Sequence, residues 1–454
     1  MSPAGRHAAE PVTAPAPVTE RTAVAQPGPG RRALGPSTVE RTDLGTTALL
    51  PGQVVDVVIA CHNPARPVAR AVASVLDGNP EAAVTVACHN RTAEEIAAAI
   101  APEHRDRVRY LEHADPRPSA SGPFNAGMRA ARTSWVSIMG SDDSLLPGAV
   151  ASWLRLARAA GAEFVVPRLA LGSPSNYVPT PAPRPSRLAA PALTALGDPA
   201  RRGARLPHDL RVRLAHLARG AARADLVADR LAYRSAPLGL MSVAALRREQ
   251  LALVEGAGVG GDVAMVTRLM ASVRTAYDAT GPAYLIGEDA GDRVTYVVRP
   301  MAEQLGFLDR MLDEDWWAAL PLPTRRALAV KMARIHVFGA VHYRSREEIW
   351  TPAERADLAA TARHLAAVAP GYERVLSRAD AELLDACLDP AVPAAALIAR
   401  GQARRRHGRP ETLLTRRPAA LLAREAPLRF MAASVLSRCV PGLPGERPVS
   451  GRRG

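Results

Sequence analysis

Three short apolar runs near the start of the sequence each end at polar residues that could do chemistry. Residues 54–59 and 84–86 each lead into Ala-Cys-His-Asn, and residues 135–139 lead into Gly-Ser-Asp-Asp. Short β-branched runs separated by helix-like segments are typical of a buried parallel sheet, and ligands bind beyond the carboxyl ends of such strands. We therefore expect the functional site at these three strand ends.

Asp142 and Asp143 supply the carboxylates of the third strand end. Mg²⁺ and Mn²⁺ prefer carboxylate oxygens, and in phosphate chemistry the protein often supplies one or two ligands while the substrate supplies the others. An aspartate at a strand end can therefore hold a metal ion together with a diphosphate. Alternatively, either aspartate could be the N-cap of a following helix. The spacing alone does not separate these interpretations.

The segments between these runs predict the elements that would position them. Thr92 followed by Glu95 has the pattern of a capping box, which starts a helix. Strands that alternate with amphipathic helices are the βαβ rhythm of an α/β domain. The predicted helices cover 67–76, 92–100, 125–132 and 149–160, and the predicted further strands cover 108–111 and 163–166.

Composition divides the 454-residue chain into regions. The first region is rich in Pro, Ala, Gly and Thr without apolar periodicity, so it cannot offset the entropy of ordering. Helical patterns cover 210–231 and dominate from 301 to 399. The predicted regions are a disordered leader (1–50), an α/β domain (51–300) with a Pro-rich insertion (172–207), a helical accessory domain (301–400) and a basic tail (401–454).

The formal charge of +14 comes almost entirely from arginine, because Lys331 is the only lysine. We attribute the Arg, Ala and Pro excess to GC-rich coding. Nucleic-acid binding is not expected, since the basic residues are not interleaved with aromatic ones. The tail holds twelve arginines against three glutamates, and its stretch 413–440 could lie on an anionic membrane surface. Pro418 and Pro427 interrupt that stretch, so a disordered tail fits equally well.

The four cysteines are too few and too scattered for a disulfide framework, which suits a reducing cytoplasm. The start of the sequence lacks a charged segment followed by an apolar core, and no apolar run reaches the roughly 18 residues of a membrane span. We expect a cytoplasmic protein that the tail could place at the inner face of the cell membrane.

Four segments together resemble family 2 glycosyltransferases, the inverting nucleotide-sugar enzymes with the GT-A fold. They are residues 57–76, the Asn-Ala-Gly helix that contains Asn125, residues 141–149 around the acidic pair, and residues 261–269. The resemblance covers about 54–166 and 238–300. It implies a Rossmann-like mixed sheet flanked by helices, a nucleotide-sugar donor, a cell-envelope or polysaccharide acceptor, a hexosyltransferase-like activity, and a divalent cation, Mg²⁺ or Mn²⁺.

The resemblance also implies roles for individual residues. Asp142 matches the metal-binding carboxylate and Asp262 matches the general base of the inverting transfer. Each role has an alternative: Asp262 could be a helix N-cap, His62 a polar strand end instead of a stacking partner for the nucleobase, and Arg293 a solvated surface residue. The implied substrate-binding residues are His62, Cys88, His89, Asn125, Asp143 and Arg293.

Several positions depart from the family pattern. Gly140 and Gly261 stand where acidic residues are usual, Phe124 replaces a common Arg, and Cys88-His89 stands where the family usually has the Asp that binds the nucleobase. The two Cys-His pairs allow a zinc site as a minor alternative, and cysteine catalysis as a lesser one. The rival function is therefore a non-catalytic nucleotide- or glycan-binding protein that kept the fold.

Overall fold

The computed structural model describes residues 40–45, 48–117, 119–184, 223–289 and 298–439. The described residues fall in the compact unit Thr38–Gly454. A nine-stranded sheet with the order β1-β4-β3-β2-β5-β10-β7-β11-β9 and a three-stranded sheet with the order β6-β12-β8 form its α/β part. The strands are β1 Glu40–Gly45, β2 Val55–Cys61, β3 Ala82–His89, β4 Val108–His113, β5 Trp135–Gly140, β6 Ser144–Leu145, β7 Phe164–Val166, β8 Leu169–Leu171, β9 Arg223–Ala224, β10 Leu240–Ser242, β11 Thr275–Tyr277 and β12 Tyr284–Ile286.

Strands β2 to β5 run parallel, as the apolar runs predict, and β2 lies between β3 and β5. In the sheet, β3 and β4 lie on one side of β2, and β5 lies on its other side. The direction in which successive strands are placed therefore reverses at β2. In open α/β sheets the crevice at such a switch point is where ligands bind. The ends of β2 and β5 carry His62 and the acidic pair, so the topology places them at this crevice.

Helices cover both faces of the large sheet. On one face, Val57 and Ile59 of β2 pack in a core with Trp153, and on the other face Val58 packs with Ile138 and Leu269. The alternation of buried apolar residues on successive strand positions assigns each to one face. The helices of this region are α1 Val68–Leu76, α2 Ala93–Ala98, α3 Pro102–Arg105, α4 Ser121–Arg129, α5 Ala149–Ala160, α6 Val243–Arg248 and α7 Val263–Ser272.

Most local predictions for this region are confirmed. Thr92 accepts a hydrogen bond from the Glu95 amide while the Glu95 carboxylate accepts one from the Thr92 amide, which completes the predicted capping box of α2. The helix predicted over 210–231 is wrong for its described part, where Arg223–Ala224 pairs as β9 along β11. The prediction of a disordered leader over 1–50 is wrong for Glu40–Gly45, which pairs as β1 with β4. Residues 210–222 of the predicted helix, 1–39 and 46–47 of the leader, and 185–207 of the Pro-rich insertion lie outside the described residues.

The second part of the unit is helical and has its own core. Trp317, Phe338 and Tyr372 are almost fully buried in this core, which includes Val263 of α7. Because α7 follows the candidate base, this packing joins the accessory helices to the site. The helices are α8 Met301–Leu312, α9 Asp315–Ala318, α10 Leu322–Met332, a π-helical turn Ala333–Val337, α11 Phe338–His342, α12 Pro352–Val368, α13 Arg378–Leu388, α14 Ala394–Ala403, α15 Pro410–Leu413 and α16 Pro427–Cys439.

Residues 404–439, the C-terminal segment, pack on both parts of the unit. Glu425 is buried, with its carboxylate 3.6 Å from the Arg230 guanidinium, and its backbone carbonyl accepts a hydrogen bond from Arg334. The Phe430 ring lies 4.7 Å from the Tyr233 ring. The region predicted as a basic tail thus begins with ordered helices, although its boundary with the accessory domain stays a prediction. Among the described residues, no helix combines the length and apolar character that crossing a bilayer requires.

The Glu425 contacts predict a stability effect. Glu425→Ala removes the acidic partner of Arg230, whose side chain is 4 % exposed, and a buried charge that loses its partner costs about 3 kcal/mol. We expect urea unfolding to show this loss relative to wild type. Glu373→Ala, at an exposed glutamate of the accessory helices, is the control. Equal midpoints for the two variants would contradict the role of Glu425.

Candidate active site

The acidic turn, which follows β5 and contains Asp142 and Asp143, is held in place by β12 and the residue after it. The Tyr284 hydroxyl donates to Asp143 Oδ2 at 2.6 Å, and the Gly287 amide donates to Asp143 Oδ1 at 3.0 Å. Burial raises the pKa of Asp143, and the Tyr284 hydrogen bond opposes that shift. Neither Asp142 nor Asp143 begins a helix, because both lie in a turn that continues into β6. The N-cap alternative for this pair is therefore wrong.

Two glycines allow the close approach of these segments. A Cβ on Gly287 would lie 1.9 Å from the Asp142 carbonyl oxygen, and a Cβ on Gly140 would lie 2.7 Å from Asp143 Oδ2. The space that an acidic side chain at position 140 would need is thus occupied by the carboxylates of the pair itself. Glycine at position 140, where the family usually has an acidic residue, therefore allows this turn to pack closely.

Arginines from the start of α1 surround the acidic turn. Arg66 lies 2.7 Å from Asp142 Oδ1, and both side chains are largely buried. Arg70 donates to the Asp142 carbonyl oxygen and to both carboxylate oxygens of Asp289. The turn therefore carries a guanidinium at the position where the resemblance implies a metal ion.

These contacts do not fit a divalent metal site. The Asp142 carboxylate is already beside a cation, and both oxygens of Asp143 accept hydrogen bonds from the protein. Within the described ranges, no three His, Cys, Asp or Glu side chains are grouped to hold a metal ion, the two Cys-His pairs included. The implied metal role of Asp142 stays a prediction that this arrangement does not support.

A second cluster of polar groups lies at the ends of β3 and β4. The rings of His89 and His113 are 6.0 Å apart, and His113 Nε2 is 3.8 Å from Asp115 Oδ2. Among the described residues, His89 Nε2, both nitrogens of His113 and Asp115 Oδ2 are buried without a hydrogen-bond partner. Burial lowers the pKa of His89. Burial raises the pKa of Asp115, but hydrogen bonds from Arg117 outweigh it and leave a lowered pKa.

Asn125 connects helix α4 to the loop before α7. Its amide nitrogen donates to the Leu253 carbonyl and to Glu255, and its amide oxygen accepts from the Leu253 amide. Glu255 in turn pairs with Arg117 at 2.8 Å. These contacts make Asn125 a residue that positions the loop, and its predicted contact with substrate stays a prediction.

The two tetrapeptides differ in which side chains face the crevice. His62 is exposed at the end of β2, and its backbone carbonyl accepts a hydrogen bond from Arg91. Cys88 is fully buried in the core on the α1 face, and burial raises the pKa of its thiol to about 12. Its neighbour His89 points to the other face. Cys88 therefore does not line the crevice. His62 and His89 lie at the ends of β2 and β3, beside the crevice.

Asp262 is the residue before α7, and its side chain makes no capping hydrogen bond. Burial raises the pKa of Asp262 to about 6, and the positive charge of Lys331 opposes that shift. Burial likewise lowers the pKa of Lys331 to about 7. Lys331 Nζ lies 2.9 Å from His336 Nε2. A carboxylate with such a pKa can accept a proton near neutral pH.

The sequence interpretation missed Arg66, Arg70, Asp115, His113 and Lys331. Arginine carried little information in so Arg-rich a chain, although the first two lie in the loop and helix after the first strand end. The single lysine was a signal that could have been used. Arg293 lies outside the described residues, so its predicted role stays a prediction.

Comparison with known proteins shows what this arrangement is similar to. Residues 56–213 match the family model of "Glycosyl transferase family 2". The chain is thus similar to family 2 glycosyltransferases over this segment. It is 31 % identical over 115 residues to the succinoglycan biosynthesis protein ExoO of Rhizobium meliloti, a match that covers 25 % of this chain and 33 % of that protein. The chain thus spans about a third of the length of this curated relative.

Solved structures show a similar fold for the α/β part and the helices that follow it. The structure of S. aureus TarS 1–349 in complex with UDP-GlcNAc has a TM-score of 0.56 at 12 % identity and covers 77 % of this chain and 91 % of that one. Another TarS structure has a TM-score of 0.53 at 11 % identity, with 76 % of this chain and 54 % of that one covered. The predicted GT-A-like fold with a helical C-terminal part is confirmed.

The close approach at Gly287 predicts that this position tolerates no side chain. Gly287→Ala would push a methyl group into the Asp142 carbonyl, and such overpacking costs about 1–3 kcal/mol and displaces the acidic turn. We expect weaker UDP binding in calorimetry and a lower melting temperature. Gly339→Ala, where a Cβ meets nothing within 4 Å, is the matched control. A Gly287→Ala variant with wild-type affinity would show that the turn is not part of the binding site.

Proposed function

We propose that the protein is an inverting glycosyltransferase that moves a sugar from a nucleotide-sugar donor to a cell-envelope or polysaccharide acceptor. The acidic turn, fixed by Tyr284 and Gly287 at the switch point beside β2, carries the proposal. The family 2 match over this segment and the similarity to a protein of succinoglycan biosynthesis support the reaction class and the acceptor class. The fold shared with a UDP-GlcNAc complex supports a nucleotide-sugar donor.

The cluster of His89, His113 and Asp115 is the proposed subsite for the nucleobase. Its buried polar atoms lie at the ends of β3, which is beside β2, and of β4, which is beside β3. A base carries both donors and acceptors that could satisfy them. Family 2 glycosyltransferases usually have an aspartate that binds the nucleobase at the position of Cys88-His89. Asp115 would take that role here. His62, exposed at the neighbouring strand end, could stack on the base.

Asp262 is the proposed general base. Its carboxylate would accept the proton of the acceptor hydroxyl while that oxygen forms a bond to the anomeric carbon. The bond from that carbon to the diphosphate oxygen breaks at the same time, and the nucleoside diphosphate leaves from the opposite face. One displacement inverts the configuration. Burial raises the pKa of Asp262, while its own backbone amide and then the positive charge of Lys331 oppose the shift and leave the pKa at about 6, so the base is mostly ionised at neutral pH.

Asp262→Asn tests this role. Transfer should fall by about 10²–10⁴-fold, because the variant cannot take up the proton, while donor affinity stays unchanged. In the wild type, transfer should rise as pH increases through about 6, since the base must lose its proton. Transfer from UDP- and GDP-sugars measured by release of the nucleotide would check both points.

Asp313→Asn, an exposed aspartate of the accessory helices, serves as the control. Full transfer by Asp262→Asn would assign the base to another residue. Donor binding by the wild type without transfer or hydrolysis of any nucleotide-sugar would instead favour the non-catalytic alternative.

We further propose that the C-terminal segment places the enzyme at the cytoplasmic face of a membrane. Val435 and Leu436 of α16 are 62 % and 54 % exposed, and exposed Arg429 and Arg438 lie on the same helix. Exposed apolar side chains flanked by arginines match an interfacial helix on anionic lipid. All four cysteines are thiols, which suits a reducing compartment.

A double variant, Val435→Glu with Leu436→Glu, tests the membrane surface. Charged side chains should abolish apolar insertion and lower the fraction bound to vesicles of phosphatidylglycerol and phosphatidylcholine by at least about tenfold. Co-sedimentation measures the bound fraction, and Leu49→Glu, another exposed leucine, is the control. If the double variant sediments like the wild type, α16 is not a membrane surface.

A further inference from the structure

A positively charged side chain of the protein, Arg66, lies beside the acidic turn. Arg66 Nη2 lies 2.7 Å from Asp142 Oδ1, and the two side chains are 14 % and 9 % exposed. Such a pair, mostly removed from water, is held more firmly than a surface ion pair. Arg66 lies between β2 and α1, directly at the switch point where the donor is proposed to bind.

The other polar groups of the turn already make contacts within the protein. Asp143 uses one oxygen for the Tyr284 hydroxyl and the other for the Gly287 amide. Gly140 supplies no carboxylate, and the pair itself fills the space above it. Arg70 fixes the turn from the other side through the Asp142 carbonyl and Asp289. A divalent ion would therefore have to displace Arg66 and, from the described residues of this turn, would gain the single carboxylate of Asp142.

We propose that Arg66, oriented by Asp142, binds the donor diphosphate in the place of a divalent cation. The inference rests on the proposed function, since it assigns the charge that holds the nucleotide-sugar. Asp142 then acts as a positioning residue for Arg66 and does not ligate a metal. Donor binding consequently needs no Mg²⁺ or Mn²⁺.

The chemistry of the guanidinium supports this exchange. Its planar fork of five N–H donors can bond a carboxylate on one edge and phosphate oxygens on another. The group stays charged at all relevant pH values and stabilises the same diphosphate charge that a metal would neutralise. An arginine held in place by a buried carboxylate is preorganised, so less side-chain entropy is lost when the phosphate binds.

Calorimetry on the full-length wild type gives the first test. Inorganic pyrophosphate and UDP are titrated once in EDTA and once with excess MnCl₂. We expect about equal affinities in the two buffers for both ligands. Binding that disappears in EDTA would overturn the inference while leaving the proposed nucleotide-sugar site intact.

Variants give the second test. Arg66→Ala should weaken binding of both ligands in EDTA by about tenfold to a hundredfold, the value of charged hydrogen bonds to phosphate. Because the change also releases Asp142 from its cation, Mn²⁺ should strengthen binding to this variant, a response that the wild type lacks. Asp142→Asn should weaken binding in EDTA and in MnCl₂ by the same factor, since it only loosens Arg66.

Arg158→Ala, an exposed arginine of α5, is the control, and thermal unfolding checks that each variant is folded. Unchanged affinity of Arg66→Ala in EDTA would overturn the role of Arg66. If pyrophosphate binds without metal through Arg66 but no nucleotide-sugar is turned over, the inference stands and the proposed transfer fails. If neither pyrophosphate nor UDP binds in either buffer, both are overturned.

Discussion

The hydrogen bonds that Tyr284 and Gly287 donate to Asp143 are the constraint on which the candidate site depends. They tie the turn after β5 to β12, a strand that follows it by about 140 residues in the chain. Because Asp143 is used in this way, Asp142 is directed to Arg66 and its carbonyl to Arg70. One buried carboxylate therefore determines which charges face the crevice at the switch point.

The accessory helices contribute to the site as well as to stability. Lys331, fully buried, supplies the positive charge that acts on Asp262, and Phe307 packs against Gly260 two residues before that base. The C-terminal segment extends this coupling, since Glu425 contacts Arg230 of the α/β part and Arg334 of the accessory helices. The helical part is therefore expected to affect the rate as well as the melting temperature.

Strands β2 to β5 and β7, the first helices and their order could be predicted because they rest on local patterns. Residues 55–61 and 135–140 are β-branched and apolar, and the Thr92 capping box is a short-range signal. The site was predictable only in part, since its key contacts join distant segments: Tyr284 with Asp143 and Arg66 with Asp142. The periodicity of apolar residues along the sequence does not indicate such long-range pairs. The failed helix over 210–231 shows the same limit, because its described end pairs with β11 as an edge strand.

Anomalous X-ray diffraction from crystals grown with UDP and MnCl₂ tests the account most directly. Data collected near the manganese absorption edge locate any bound Mn²⁺ independently of the protein density. The account predicts the diphosphate of UDP against Arg66 above the acidic turn, with no anomalous peak beside Asp142. A manganese peak bonded to Asp142 and to the diphosphate, with Arg66 displaced, would contradict it.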